Sequence, residues 1–252
     1  MMGSPAIADI NGDGRLEAVG TPGENWHVNC SAGSPVCGPN GGSDHNKVFA
    51  FHLEDGSDVP GWPVSTGDSV LASPALGDLD GDGDLEVVVG SWDTYVYAWH
   101  GDGSVLWRRQ TRHGADHLGP SNMTGHPIIA DLDGDGDQDV AVGSRTGLAL
   151  LNGRTGHSLE SGSWQYRMGA GYSYESAPAV GVIEGQRQIV FSGFRTGGHD
   201  TRIAAFPLAG ALTTEDAWPM FRANAERTGR HVAGICDLRE CSNTFFDVPE
   251  GT

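Results

Sequence analysis

Long apolar runs, basic residues and helix signals are all scarce in this 252-residue chain. Its longest apolar runs are a few residues, far short of the roughly 20 that a membrane-spanning helix needs. The opening MMGSPAIADINGDG has neither a basic start nor an apolar core, so no secretory signal peptide is expected there. Lys and Arg total 15 against 33 Asp and Glu, for a formal charge of −18. That balance argues against nucleic acid or an anionic membrane as partner, as the short runs argue against membrane insertion, and fits acids that hold cations. Only Thr213–Arg227 offers a turn or two of helix, and Pro219 interrupts it. No G-x-S-x-G, phosphate loop or H-E-x-x-H is present. Cysteine is confined to two close pairs, Cys30/Cys37 and Cys236/Cys241. Both spacings suit short disulfide loops in an oxidising compartment; free thiols or a zinc site are the alternative.

Glycine, by contrast, is abundant, with 39 residues spread between apolar runs, as in a turn-rich β protein. Those runs repeat. SPAIADINGDGRLEAVG starts at Ser4, SPALGDLDGDGDLEVVVG at Ser73 and HPIIADLDGDGDQDVAVG at His126. A fourth copy, APAVGVIEGQRQIVFSG from Ala177, keeps the apolar frame and loses the acids. Each copy is followed by a second pattern: VFAFHLEDG, YVYAWHGDGSVLW, LALLNGRTGHSL and RIAAFPLAG. Short apolar runs, β-branched runs and an Asp-Gly turn between alternating runs all read as strands and hairpins. One unit is about four strands in roughly 50 residues, the size of a propeller blade. The expected fold is therefore an all-β propeller with four visible blades of about four antiparallel strands. It is either part of a larger propeller or a small unit of four blades. The first spacing is longer because of a polar insert, roughly Thr21–Lys47, which is expected to leave the blade as a surface loop.

The acids recur at fixed spacing. The first loop offers Asp9, Asn11, Asp13 and Glu17, the second Asp78, Asp80, Asp82 and Glu86, the third Asp131, Asp133, Asp135 and Asp139. Side-chain oxygens thus stand at positions 1, 3, 5 and 9 of D-x-[DN]-G-D-G-x-x-[DE]. Position 7 varies (Arg15, Asp84, Asp137), as expected where only a backbone carbonyl is used. Glycines at positions 4 and 6 permit a sharp turn. Hard oxygen donors without Cys or His select Ca²⁺ over softer metals, and Mg²⁺ would demand stricter octahedral geometry. Three calcium ions are expected, with position 7 contributing its carbonyl. An EF-hand is excluded, because position 12 is Gly20, Val89 or Val142 and a β-branched run follows. The fourth copy carries only Glu184 and is expected to hold no ion.

This apolar–acidic loop–apolar unit resembles the FG-GAP/VCBS repeat of integrin-α-like β-propellers, over roughly residues 3–212. The resemblance implies calcium in a loop between two strands of a blade and a secreted or cell-surface setting of bacterial type. The family's propellers commonly have more blades, which suits a fragment of a larger bacterial protein. AWPMFRANAERTG (Ala217–Gly229) resembles a segment that closes such repeats, placing the propeller at residues 1–230. Residues 231–252 are a linker in which FFDVPEG resembles the opening of an S-layer-homology module, a cell-envelope anchor.

Catalytic candidates are few. His113, Asp116 and His117 lie in RHGADH, and Trp164 with YSYES (Tyr172–Ser176) offers an aromatic carbohydrate platform. Trp92, Trp99 and Trp107 have strand spacing and are expected to pack within blades. No constellation converges on a catalytic site once the acids are assigned to ions, so the sequence favours a binding or adhesion module for a protein or glycan. The alternative is an enzyme on the same scaffold, a calcium-dependent polysaccharide lyase or a quinone-dependent dehydrogenase.

Overall fold

A computed structural model describes residues 3–22, 45–110, 125–144, 147–159, 172–174, 176–195 and 201–209. Every regular element among them is a strand, and no helix is long and apolar enough to cross a membrane. The strands form four separate antiparallel sheets. Blade 1 holds β1 (Ala6–Ala8), β2 (Glu17–Gly20), β3 (Lys47–His52) and β4 (Val64–Ser65), in that order. Blade 2 holds β5 (Ala75–Gly77), β6 (Glu86–Gly90), β7 (Tyr95–Trp99) and β8 (Val105–Gln110), again in chain order. Blade 3 holds β9 (Ile128–Ala130), β10 (Asp139–Gly143) and β11 (Leu148–Asn152). In blade 4, β13 (Ala179–Ile183), β14 (Gln186–Arg195) and β15 (Thr201–Pro207) pair in sequence order, and β12 (Tyr172–Ser173) pairs with the far end of β14.

Four strands per blade are therefore seen in blades 1, 2 and 4, and three among the described residues of blade 3. There the bridge Leu151↔Ser158 marks where a next strand would begin. Both cysteine pairs, most of the polar insert, the RHGADH segment, Trp164, the closing segment and the C-terminal linker lie outside the described residues.

Successive side chains of a strand point to opposite faces, and here each face has its own neighbour. Ile129, Val140, Val142, Ala149 and Leu151 of blade 3 belong to one core with blades 1 and 2. Their alternates Ile128, Ala130, Ala141, Leu148 and Leu150 join a second core with Val180, Ile189 and Phe191 of blade 4. Sheets sandwiched in this way carry strands buried on both faces, as the runs EVVVG and DVAVG require. The inner strands β1, β5 and β9 are neighbours in turn. Equivalent residues at their starts are linked from blade to blade: the Ser4 amide donates to Ser73 Oγ, and the Ser73 amide to His126 Nδ1. This stacking of sheets about adjacent inner strands is a β-propeller arrangement.

Tryptophans fasten the outer part of the junctions between blades 1 and 2 and between blades 2 and 3. Trp62 of blade 1 donates from Nε1 to the Gly101 carbonyl of blade 2, at 2.8 Å, and meets Trp99 edge-on. Trp107 of blade 2 repeats the bond to Gly153 of blade 3. Each ring buries its apolar body and satisfies its polar N–H, worth about 1.5–3 kcal/mol from burial alone. Trp99 and Trp107 thus pack within and between blades, as their strand spacing suggests, whereas Trp92 lies half-buried in the turn after β6.

Candidate metal centre

Each acidic loop joins the inner strand of a blade to the next, β1 to β2, β5 to β6 and β9 to β10. Its shape is set by hydrogen bonds that recur position by position. The position-1 aspartate accepts two backbone amides with its two oxygens. Asp78 takes Gly81 and Gly83, Asp131 takes Gly134 and Gly136, and Asp9 takes Asp13 and Gly14. Position 3 accepts the amide of position 5, and position 5 accepts the amide of position 7. These are successive Asx turns, with short acids substituting for backbone acceptors. The glycines at positions 4 and 6 all have positive φ, from 69° at Gly12 to 98° at Gly83, a region open to glycine without steric cost.

Position 9 starts the second strand and is fully buried in all three blades: Glu17, Glu86 and Asp139 each have 0% exposure. One oxygen accepts the amide of position 2, from Ile10, Leu79 or Leu132, at 2.7–3.1 Å. Across the sheet the other oxygen meets a residue that the sequence reading passed over. Glu17 Oε1 lies 2.9 Å from His52 Nδ1, and Glu86 Oε1 lies 3.1 Å from His100 Nδ1. In blade 3 the residue opposite Asp139 is Asn152, and Asp139 Oδ1 takes the Gly153 amide instead. The signal was present in the aligned segments FHLEDG, WHGDG and LNGRTG, where His, His and Asn occupy one register. A longer acid is matched by a histidine and the shorter one by a backbone amide.

Ligand atoms converge within each loop. Sets lying within 4.8 Å of one another are Asp13, Glu17 and His52; Asp78, Asp80 and Asp82; Asp80, Glu86 and His100; and Asp131, Asp133 and Asp139. Two oxygens sharing one calcium at 2.3–2.6 Å are at most about 5 Å apart, so the carboxylate oxygens of these sets, though not the histidine nitrogens, are spaced as that ion would need. Electrostatics point the same way. Burial, with Asp80 adding like charge, pushes the Glu86 carboxyl up to about 7 against the pull of the Leu79 amide and His100. Burial likewise raises Asp139 to about 7, opposed by the Leu132 amide. Asp133 is also raised, by burial and then by Asp135 and Asp131. Exposed Asp13 shifts the other way, held down by the Arg15 amide. A buried acid surrounded by acids needs a proton or a cation.

Of the fifteen residues singled out from the sequence, the convergent sets include Asp13, Glu17, Asp78, Asp80, Asp82, Glu86, Asp131, Asp133 and Asp139. Asp9, Asn11 and Asp135 build the turns through their amide bonds. Side chains at position 7 do separate work. Arg15 pairs with Glu54 and Asp55 on the following hairpin, and Asp84 lies beside Gly12 of the first loop. Blade 4 has no such loop: β13 and β14 are joined by Glu184 and Gly185 alone, both with positive φ. In its place Arg187, buried, reaches back to blade 3 and donates to the Asp131 carbonyl.

Residues 78–142 match the FG-GAP-like repeat. The match runs from the first acid of the second loop through the strand after the third. No curated protein matches the chain. Among solved structures, the C-terminal domain of Pseudomonas aeruginosa PilY1 aligns with a TM-score of 0.50 at 15% identity, over 77% of this chain and 44% of that one. The Vibrio cholerae biofilm matrix protein Bap1 aligns at 0.47 and 20%, over 77% and 29%. BamB from Moraxella catarrhalis aligns at 0.41 and 18%, over 64% and 43%. The chain spans less than half the length of each, and at such identities the PilY1 likeness is one of fold.

Proposed function

We propose that this chain is a calcium-stabilised propeller module that binds a protein or glycan outside the cell or at its surface. The observation that carries the reading is the threefold recurrence of one loop, in which a fully buried acid at position 9 lies within 4.8 Å of one or two other acids of the same loop. In each loop the side chains at positions 1, 3, 5 and 9 and the carbonyl of position 7 would hold the ion. Calcium supplies positive charge where burial has made negative charge costly. His52 and His100 fix the orientation of Glu17 and Glu86, as outer partners of metal ligands commonly do. The match of residues 78–142 to the FG-GAP-like repeat supports an extracellular setting. No described constellation favours the lyase or dehydrogenase alternative.

Isothermal titration of the metal-free chain with calcium tests this directly. Three equivalents with affinity on the order of 10⁻⁴–10⁻³ M or tighter are expected, the range of extracellular modules. Absence of any calcium heat, with an unchanged melting curve, would refute the assignment. A glycan array read with and without chelator then tests the binding role.

A further inference from the structure

The first acidic loop departs from the other two at position 3, where Asn11 stands in place of the acids Asp80 and Asp133. Its hydrogen bonds depart as well. In the second and third loops the glycine at position 4 is tied down: the Gly81 and Gly134 amides each donate to the position-1 aspartate at 2.7 Å. In the first loop Asp9 takes the Asp13 and Gly14 amides instead, and among the described residues no acceptor meets the Gly12 amide. Gly12 is exposed. The side-chain amide before it is set for attack, because Asn11 Oδ1 accepts the Asp13 amide at 3.1 Å, which polarises the carbonyl. Asn11 Nδ2 donates to Asp13 Oδ2 at 3.2 Å, on the exposed side of the loop.

A second Asn-Gly pair, Asn152–Gly153, has the same chemistry in a closed setting. Gly153 is buried and its amide donates to Asp139 Oδ1 at 3.3 Å. Its Cα lies so near the next turn that a Cβ there would meet the Gln138 carbonyl oxygen at 1.9 Å. Asn152 Oδ1 is held by the amide and the hydroxyl of Thr155.

We propose that Asn11–Gly12 is a self-modification site, at which the asparagine is converted to an aspartyl residue through a cyclic imide. The Gly12 nitrogen, on losing its proton to solvent, attacks Asn11 Cγ. The new C–N bond closes a five-membered ring, the Cγ–Nδ2 bond breaks, and the nitrogen takes up a proton and leaves as ammonia. Water then opens the ring. Attack at the side-chain carbonyl gives the aspartyl residue, and attack at the backbone carbonyl gives its isoaspartyl isomer. The net change is one water in and one ammonia out, with no redox partner. Glycine suits the second position because no Cβ hinders the approach of its nitrogen. The aspartyl product puts a carboxylate at position 3, as in the other two loops. On the calcium reading above, on which this consequence rests, the added ligand charge tightens the first site.

Incubation of the full chain in chelator at mildly alkaline pH, followed by peptide mass analysis, tests the chemistry. The peptide spanning Asn11 should gain the mass of an amide-to-acid exchange at least tenfold faster than the peptide spanning Asn152, and in heavy-oxygen water should take up one labelled atom. An Asn11 that stays an amide throughout, or converts no faster than Asn152, would overturn the proposal. A Cβ at Gly12 would lie 2.8 Å from Asp84 Oδ1, so Gly12→Ala disturbs the loop as well as the reaction. Asn11→Gln is the control, since its longer side chain must close a six-membered ring, and its peptide should keep its mass. Asn11→Asp then tests the consequence: calcium titration should show one site tightened severalfold. Three sites of unchanged affinity in Asn11→Asp would overturn the link to calcium. No calcium heat in either protein would refute the calcium reading itself, while the mass gain at Asn11 would still establish the modification.

Discussion

The hairpin between the first two strands is built in two ways in this molecule. In blades 1 to 3 it is a nine-position loop whose acids bend the chain and crowd one another. In blade 4 it is the dipeptide Glu184-Gly185, whose backbone makes the reversal unaided. Both support the same antiparallel register. The comparison shows that the acids are not needed to make a blade. Under the calcium reading proposed above, they are an added device that would tie local order to an ion, and blade 4 makes the same pairing without them.

The largest separation between the two designs should follow chelation. Calcium at about a hundred times its dissociation constant stabilises the native state by about 2.7 kcal/mol per site. For a chain of this size that is about 5–10 °C of melting temperature per site. Hydrogen exchange localises the change: the amides of Gly14, Gly83 and Gly136, which donate to position-1 aspartates, should lose protection in chelator. Amides of the β13–β14 ladder should keep theirs. Equal loss in blade 4 would mean that the ion supports the whole arc, and the contrast between loop and turn would fail.

Removing one position-1 acid should have the next largest effect. Asp131 accepts the Gly134 and Gly136 amides at 2.7 and 3.2 Å, and its own carbonyl takes the Arg187 guanidinium. Asp131→Ala deletes both side-chain bonds and leaves the carbonyl in place. Charge-assisted bonds are worth about 1.5–3 kcal/mol each, so about 3 kcal/mol is expected, with one calcium equivalent lost from the titration. Urea unfolding of the variant and wild type in calcium gives the difference. A full complement of three ions in Asp131→Ala would sink the ligand assignment for that loop.

Much of this was readable before any coordinates. The repeats gave blades, and the spacing of the acids gave the loops, because turn geometry acts over nine consecutive residues. Two features were not. His52 and His100 become partners of Glu17 and Glu86 only through pairing with the following strand, from 14 to 35 positions away. Trp62 and Trp107 reach across to another blade, so strand periodicity revealed their burial but not their acceptors.

A third test is pH. Glu86 and Asp139 are raised to about 7 from ordinary values of 4.5 and 3.8. Because the folded values lie above the unfolded ones, the native ion-free protein holds these protons longer. Its stability should therefore fall as pH rises from about 4 to about 7, and level off above. Calcium competes for the same oxygens, so its affinity should rise through that window. In chelator the melting temperature declines with pH, and the gap to the calcium-loaded protein widens. Parallel pH profiles with and without calcium would show that ion and proton do not share a site.

The smallest effect is the most specific to blade 4. Glu184 sits at φ 52°, left-handed backbone that costs a non-glycine residue roughly 1–2 kcal/mol. Glycine relieves this strain but adds freedom to the unfolded chain, worth about 0.4–1 kcal/mol in the opposite sense. Glu184→Gly should thus raise stability slightly, by about 0.5 kcal/mol, as the difference of those two terms. Equilibrium unfolding should give the same gain with calcium and with chelator, since this turn has no ion to lose. The converse change in a loop, Gly83→Ala at φ 98°, should cost stability in both conditions and reduce calcium uptake as well. If Glu184→Gly instead altered the calcium response, the turn would be coupled to the third loop, for which Arg187 on the Asp131 carbonyl is the available route.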